Sequence, residues 1–247
     1  MPSFDSSGVR IHYVSEGNGP PVILVHGLTS SLDRNWRRPG IIDTLVGAGR
    51  RVVALDCRGH GESEKPHEAS AYSGTKMSDD VVALMDHLDI DVADLVGYSM
   101  GGVIVVSLLA RRPERFRRVV IAGVGDWVLR AGTDTGPLIR SRRRRSGRLR
   151  GMIRKWLLQR VARYSGNDPH ALAAMRRAER AGLDVEKLAG VRCPVLILVG
   201  REDRGAGSPD KLAAAIPGAQ VVIVPGSHIT TVVDPAFKRA IVDFLTR

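Results

Sequence analysis

The chain is poor in aromatic residues and in cysteine. Phenylalanine, tryptophan and tyrosine make up 4% of its 247 residues, and its two cysteines, Cys57 and Cys193, show no paired spacing. So few cysteines argue against a disulfide framework or a cysteine-based metal site, and they favour a reducing, cytoplasmic location. The scarcity of aromatic side chains and the lack of a nucleic-acid-reading motif argue against specific nucleic-acid binding.

Long apolar runs are also lacking. Residues 1–5 show no basic start followed by an apolar stretch, and no run approaches the ~20 residues that a membrane-spanning helix needs. The sequence therefore predicts neither a signal peptide nor a membrane anchor. No internal repeat is apparent. The length of 247 residues suits one α/β domain with a small inserted cap.

Short apolar runs are present, and they alternate with helical patterns. Each run has the length and composition of a parallel strand that is buried on both faces. Strands are predicted at 21–25, 51–55, 118–122, 194–199 and 220–224, and helices at 77–88, 99–110, 209–215 and 235–245. This alternation predicts an α/β fold, in which a mostly parallel central sheet is flanked by helices.

Residues 97–101, Gly-Tyr-Ser-Met-Gly, stand between an apolar strand pattern and a helical run. A serine hydroxyl becomes a useful nucleophile when a tight strand-to-helix turn exposes it, and a glycine two residues away on either side permits that turn. The pattern therefore predicts that Ser99 lies on a nucleophile elbow. Because glycine is frequent here, with 27 residues, the prediction depends on the surrounding motifs.

Four further motifs accompany the elbow. They are His26-Gly27, Asp56-x-Arg58-Gly59-His60-Gly61-x-Ser63, Gly200-x-x-Asp203 and Gly226-x-His228. With the elbow, they resemble the α/β-hydrolase superfamily over nearly the whole chain. The superfamily's chain order of nucleophile, acid and histidine is met by Ser99, Asp203 and His228. The resemblance implies the α/β-hydrolase fold with a small helical cap.

The resemblance also implies a role for each residue of the site. His228 would accept the proton of Ser99, because the ordinary pKa of histidine lies near neutral pH. Asp203 would hold the imidazole in its working tautomer. The backbone N–H groups of Leu28 and Met100 would form an oxyanion hole. This chemistry requires neither a metal nor a cofactor.

Other residues compete for these roles. Glu202 lies beside Asp203, and Asp126 follows the strand that ends near residue 122, so either could supply the acid. The base has three competitors, namely His26, His60 and His170. The first two resemble structural histidines of the superfamily, and the third lies in a polar stretch. Cys57 fits a small buried hydrophobe better than a second nucleophile.

The net charge of the chain is +11, and the whole excess lies in one segment. Residues 126–180 contain fifteen basic and four acidic residues, so the rest of the chain is balanced. The resemblance places the cap here, which predicts a core at 1–125 and 189–247 and a helical, Arg-rich cap at 126–188. Apolar residues recur at helical spacing from Leu149 to Val161, with basic residues mostly elsewhere around that helix.

Three interpretations of the Arg-rich cap stay open. Its apolar stripe could cover the active site while the arginines face water. The arginines could instead bind an anionic substrate, since guanidinium groups suit carboxylates and phosphates. The cap could also dock on an anionic lipid surface. The candidate substrate-binding residues are Tyr98, Trp156 and Arg154.

The function predicted from these observations is that of a serine hydrolase, which cleaves a small-molecule carboxylic ester through an acyl-enzyme intermediate. The alternatives are a thioesterase, a meta-cleavage-type C–C hydrolase or a menaquinone-pathway-like lyase acting on an anionic substrate. A ligand-binding receptor on a hydrolase scaffold is the alternative outside enzymes. Epoxide hydrolases and haloalkane dehalogenases place an aspartate at the elbow, so Ser99 argues against both activities.

Overall fold

The computed structural model describes residues 1–130 and 166–247. The strands of this part of the chain are β1 (Ser3–Ser6), β2 (Val9–Glu16), β3 (Pro21–Val25), β4 (Arg51–Leu55), β5 (Ala93–Tyr98), β6 (Phe116–Ala122), β7 (Val195–Gly200) and β8 (Gln220–Val224). They form one sheet in the order β1-β2-β4-β3-β5-β6-β7-β8. β2 pairs with β1 and β4 in antiparallel fashion, and every other neighbouring pair is parallel. The predicted α/β fold with a mostly parallel sheet is confirmed.

Helices cover both faces of the sheet. They are α1 (Ile41–Gly47), α2 (Lys76–His87), α3 (Met100–Arg111), α4 (Trp127–Arg130), α5 (Pro169–Arg177), α6 (Pro209–Ala214) and α7 (Pro235–Thr246). Apolar residues of α2, α3 and α5 share one buried cluster, and those of α1 and α7 share another. None of the helices in the described ranges combines the length and apolar character needed to cross a membrane.

The sheet separates these two cores because its side chains alternate between faces. In β3, Ile23 and Val25 join the cluster under α2 and α3, whereas Val22 and Leu24 join the cluster under α1 and α7. Both faces of β3 to β7 are buried, which explains why these parallel strands are apolar runs. The prediction of burial on both faces is wrong for β8, because it lies at the edge of the sheet, where Ile223 is 51% exposed. The carboxyl ends of the parallel strands meet at one edge, so the loops that follow β3 to β8 are brought together there.

The predicted division into core and cap is only partly described. The eight strands found among the described residues lie within residues 1–125 and 189–247. Helix α5 belongs to the predicted cap, yet its Leu172 and Met175 pack in the same buried cluster as α2 and α3. Residues 131–165 lie outside the description, so the boundaries of the Arg-rich cap stay a prediction.

Candidate active site

Ser99 lies on a strained turn between β5 and α3. Its backbone has φ of 55° and ψ of −110°, a conformation that residues with a side chain rarely adopt. Neighbouring backbone atoms also lie very close to the two glycines of this turn. A Cβ atom on Gly97 would overlap the Gly101 carbonyl, and one on Gly101 would overlap the Val25 carbonyl. The chain can therefore make this turn only with glycine at both positions.

The side chains of Ser99, His228 and Asp203 form a hydrogen-bonded chain. Nε2 of His228 lies 2.8 Å from Oγ of Ser99, and Nδ1 lies 2.6 Å from Oδ2 of Asp203. Asp203 follows β7, and His228 lies in the loop between β8 and α7. The carboxylate favours a proton on Nδ1, which leaves the lone pair of Nε2 facing the serine hydroxyl. This arrangement can remove the proton of Ser99.

Asp203 is itself fixed by its turn. Its Oδ1 accepts hydrogen bonds from the N–H groups of Gly205 and Ala206, each at 3.1 Å, while Oδ2 accepts from His228. The side chain is buried. Because both oxygens have assigned donors, the carboxylate cannot rotate without losing a hydrogen bond, and it holds the imidazole in one orientation.

The two competing acids, Glu202 and Asp126, form hydrogen bonds with residues other than His228. Oε2 of Glu202 accepts the Gly226 N–H at 2.7 Å and so fixes the loop before His228. Asp126 accepts the Ser208 N–H at 2.8 Å and pairs with Arg130. The structure thus brings Asp203 to His228, and it does not bring Glu202 or Asp126 there.

Leu28 and Met100 lie on two segments that meet beside Ser99. A Cβ on Gly27 would lie 3.4 Å from the Cβ of Ser99, so the loop after β3 passes directly over the elbow. Within residues 1–130 and 166–247, neither the Leu28 N–H nor the Met100 N–H donates a hydrogen bond. Two backbone donors beside a nucleophile can stabilise negative charge on a substrate oxygen.

The loop that carries Leu28 is held on both sides. The Gly27 N–H donates to Oδ1 of Asn35 at 3.0 Å, and the Thr29 N–H donates to Nε2 of His60 at 3.3 Å. Asn35 is buried in a short helical segment, Asp33–Arg37. The sequence analysis missed this residue, because a single asparagine between Arg34 and Trp36 carries no pattern that predicts a contact with the loop after β3.

His26 and His60 support the loops and do not face Ser99. Nε2 of His26 accepts the Cys57 N–H at 3.0 Å, and its Nδ1 donates to the Gly27 carbonyl at 2.8 Å. Nδ1 of His60 donates to the Arg58 carbonyl at 3.2 Å. Burial lowers the pKa of His26, and it lowers the pKa of His60 to about 3. Both rings are therefore neutral at pH 7.

The remaining competitors are His170 and Cys57. His170 is exposed and lies against the ring of His67, with the ring centroids 5.4 Å apart. Cys57 is buried, and burial strongly raises the pKa of its thiol, so it stays protonated. The burial and the protonated thiol agree with a structural role for Cys57.

Tyr98 contacts His228 in the structure. Its side chain is 5% exposed, and its hydroxyl donates to the His228 carbonyl at 2.5 Å. Burial, with a smaller contribution from Asp203, raises the pKa of Tyr98, so the hydroxyl remains a donor. The sequence predicted a substrate contact for Tyr98. That substrate contact stays a prediction, and the contacts that the structure describes for the ring and the hydroxyl are with His228 and its loop.

The other two predicted substrate-binding residues, Trp156 and Arg154, lie outside the described residues, as does most of the Arg-rich segment. Among the residues that are described, no group of three or more His, Cys, Asp or Glu side chains could hold a metal ion.

Comparison with known proteins identifies the family. The sequence profile of the α/β hydrolase fold family matches residues 20–137 of this chain. The crystal structure of the enol-lactonase from Burkholderia xenovorans LB400 is similar, with a TM-score of 0.75, 30% identity and coverage of 100% of both chains. The chain belongs to the α/β-hydrolase fold family.

Two curated relatives are similar over shorter segments. The 2-hydroxymuconate semialdehyde hydrolase of Pseudomonas sp. (strain CF600) is 38% identical over 120 residues, which cover 48% of this chain and 41% of the relative. The bifunctional epoxide hydrolase 2 of Sus scrofa is 40% identical over 112 residues, which cover 45% of this chain and 20% of the relative. The chain thus matches less than half the length of each. These relatives, together with the enol-lactonase, support a hydrolase function.

Proposed function

We propose that this protein is a serine hydrolase that cleaves carboxylic esters, including lactones, through an acyl-enzyme intermediate. The observation that carries the proposal is the hydrogen-bonded chain from Ser99 through His228 to Asp203, with distances of 2.8 and 2.6 Å. The substrate is a small-molecule ester. The likeness to an enol-lactonase over the full chain supports an ester bond as the target.

The reaction has two halves. In the first, Oγ of Ser99 forms a bond to the carbonyl carbon while its proton moves to Nε2 of His228. The N–H groups of Leu28 and Met100 stabilise the resulting oxyanion. The carbon–oxygen bond of the ester then breaks, and the leaving alkoxide takes the proton from His228. In the second half, the oxygen of water adds to the acyl carbon while a proton of the water moves to Nε2 of His228. The bond between the acyl carbon and Oγ of Ser99 then breaks, Oγ takes the proton back from His228, and the acyl group leaves as the acid.

The identity of the nucleophile argues against epoxide opening. The chain is similar to an epoxide hydrolase over 112 residues, but Ser99 stands at the elbow, where the epoxide hydrolases of this superfamily place an aspartate. A second candidate is the C–C hydrolase of the meta-cleavage type, which the likeness to 2-hydroxymuconate semialdehyde hydrolase favours. A panel of aryl esters, acyl thioesters and vinylogous diketones would rank these activities.

The proposal is tested by labelling and substitution. A fluorophosphonate should modify Ser99, as mapped by peptide mass spectrometry. Ser99→Ala should reduce kcat on an aryl ester by about 10⁶-fold, and Asp203→Asn by about 10⁴-fold, because Asn favours the wrong tautomer of His228. Asp126→Asn is the matched control, and it should retain wild-type activity because Asp126 does not contact the histidine.

Two results would contradict this function. One is a label on a different residue together with unchanged turnover in Ser99→Ala. The other is tight retention of a small ligand with turnover of no more than a few molecules per protein, which would support the receptor alternative.

A further inference from the structure

Strand β8 ends the sheet with an open edge. It pairs with β7 alone, in an unbroken register from Gln220 to Val224. Its sequence, Gln-Val-Val-Ile-Val, contains no charge and no proline. Of the large apolar side chains that the described residues expose, Ile223 is the one that lies in a strand. Proteins usually protect such edges with charges, proline or bulges, because an unpaired apolar strand pairs readily with another strand.

The opposite edge of the sheet has this protection. Strand β1 is only four residues long, and Asp5 places an exposed charge in it. Strand β8 carries no charge of this kind. The edge at β8 is therefore the one that a further strand can extend.

The hydrogen bonds of β8 show which of its backbone groups face the open edge. The Arg201 N–H donates to the Val224 carbonyl at 2.8 Å, so Val224 directs its backbone groups towards β7. Alternate residues of a strand direct these groups to opposite sides. The N–H and carbonyl groups of Val221 and Ile223 therefore face outward. Within residues 1–130 and 166–247, no turn, loop or side chain pairs with them.

This outward pattern is self-complementary. If a second copy lies antiparallel along the edge, with the two-fold axis at Val222, then Val221 lies opposite Ile223 of the partner subunit. Residues that face each other in this way exchange both of their backbone hydrogen bonds. Their side chains also cover each other, which removes Ile223 from water. A contact that uses the same surface on both copies closes at two chains.

A groove beside the edge fits the same partner. It lies between β8 and α7 and has a volume of about 270 Å³, and its apolar walls include Val222, Val224 and Ala240. Arg239 and Asp243 also line it, one turn apart on α7 and both exposed. Neither of them has an ion pair with another described residue. Because a two-fold axis reverses the order of these charges, Arg239 comes to face Asp243 of the partner subunit.

We propose that β8 and α7 form an interface with a second copy of this chain, in which the two β8 strands pair antiparallel and continue the sheet from one copy into the other. A second copy fits better than an unrelated protein, because one surface then supplies the outward backbone groups and pairs both charges with their opposites. The proposal does not depend on the chemistry of Ser99.

The first experiment measures the mass of the full chain. Sedimentation velocity from about 1 to about 200 µM, in ~150 mM NaCl, should show a species of two chains that increases with concentration. Ile223→Lys should raise the dissociation constant of this dimer by at least about tenfold, because a charge on an edge strand opposes pairing. Val92→Lys is the matched control. Val92 is 46% exposed and precedes β5, so this variant should keep the dimer.

Hydrogen exchange shows whether β8 forms the contact. The amides of Val221 and Ile223 should exchange slowly in the concentrated sample and quickly in the dilute one, where the dimer dissociates. The Val222 amide should exchange slowly in both samples, because it is bonded to β7. Mass spectrometry with electron-transfer fragmentation separates these neighbouring amides.

Charge reversal on α7 tests the two-fold arrangement. Arg239→Glu brings two acids together across the axis, and Asp243→Arg brings two bases together. Each substitution should raise the dissociation constant of the dimer by about tenfold. The double variant, Arg239→Glu with Asp243→Arg, should restore the wild-type value, because opposite charges meet again.

Three results would overturn the interface. The wild type could sediment as a single chain over the whole range, or Ile223→Lys could leave the dimer intact. The wild type could also dimerise while Val221 and Ile223 exchange at the same rate in both samples. Should Ile223→Lys fail to fold, Ile223→Pro replaces it, since proline removes an N–H that faces away from β7. Ester hydrolysis by Ser99 is measured separately and would stand in each case.

Discussion

Tyr98 connects the strand that ends at the nucleophile to the loop that carries the histidine. Its ring lies against His228, with centroids 5.4 Å apart, and against Phe237 at 5.7 Å. A Cβ on Gly123 would be 3.0 Å from the same ring, so the tyrosine is enclosed on several sides. The residue before the nucleophile therefore positions the base through its backbone.

Tyr98→Phe should lower kcat on a neutral aryl ester several-fold with little change in KM. The cause is the loss of the hydroxyl donor to the His228 carbonyl, which loosens the loop without touching the substrate. The free energy of unfolding should also fall by about 1 kcal/mol, as is typical for one buried hydrogen bond. Steady-state kinetics and urea unfolding measure both effects.

Tyr13→Phe provides the control for this substitution. Tyr13 is also buried, and its hydroxyl lies 3.3 Å from Nε2 of His87, away from the site. It should lose a similar amount of stability and keep wild-type kcat. Equal kcat values for the two variants would show that the Tyr98 hydroxyl has no part in positioning His228.

The role of a residue could be predicted from the sequence only where backbone geometry restricts which residue type can occupy its position. Gly97 and Gly101 predict the elbow because no larger residue fits there. Asp203 and Glu202 are adjacent and carry the same charge, so the sequence alone does not decide which of them contacts His228. The hydrogen bonds of the folded turn decide it.

At the scale of elements, one carboxylate holds the strand-end loops together. Oδ1 of Asp56 accepts the Leu32 N–H at 2.8 Å, and its Oδ2 accepts the Glu62 N–H at 3.0 Å and lies 2.9 Å from Nδ1 of His12. Burial alone would raise the pKa of Asp56, but these hydrogen bonds outweigh burial and lower it. The side chain therefore stays ionised and joins β2 to the loops after β3 and β4.

Asp56→Asn should lower the free energy of unfolding by about 3 kcal/mol, because an amide offers one acceptor oxygen where three donors converge in a buried site. The midpoint of urea unfolding measures the loss. Glu16→Gln is the control, since Glu16 pairs with Arg37 at the surface, where both side chains are 37% exposed. Its loss should stay below about 1 kcal/mol. Similar losses in both variants would contradict the role of Asp56.

The strands could be predicted from the sequence to different degrees. The parallel strands are apolar on both faces, which is why β3, β4, β6, β7 and β8 could be placed from the sequence. Strand β1 was not predicted, because Ser3-Phe4-Asp5-Ser6 contains a single apolar residue and the strand pairs only with β2 at the edge of the sheet. Its register depends on that partner and not on its own composition.

For the whole molecule, stability should fall as the pH is lowered below neutrality. Histidine in an unfolded chain takes up a proton near pH ~6.5, whereas burial lowers the folded pKa of His26 and brings that of His60 to about 3. The unfolded state therefore binds more protons between these values. Each such histidine reduces the free energy of unfolding by roughly 1.4 kcal/mol per pH unit in this window. Asp56 adds its loss only below about pH 4, where an unfolded aspartate is protonated.

Urea unfolding at a series of pH values from 8 to about 4.5 measures this slope, in a range above the titration of Asp56. His60→Gln removes one of the two groups and should make the slope shallower. His170→Gln, at an exposed position, should leave the slope as it is in the wild type. A wild-type stability that is constant over this range would contradict the assignment of neutral buried histidines.

The tight passage of α3 over β3 has a consequence for the engineering of this chain. Gly97 and Gly101 are fixed by the backbone atoms around them, whereas the side chain at position 99 projects from the turn and takes no part in forming it. Reaction chemistry and folding are thus encoded by different positions of the same pentapeptide. Mutagenesis that alters the nucleophile can explore new reactions in a single step, while libraries that vary the flanking glycines would consist largely of chains that do not fold.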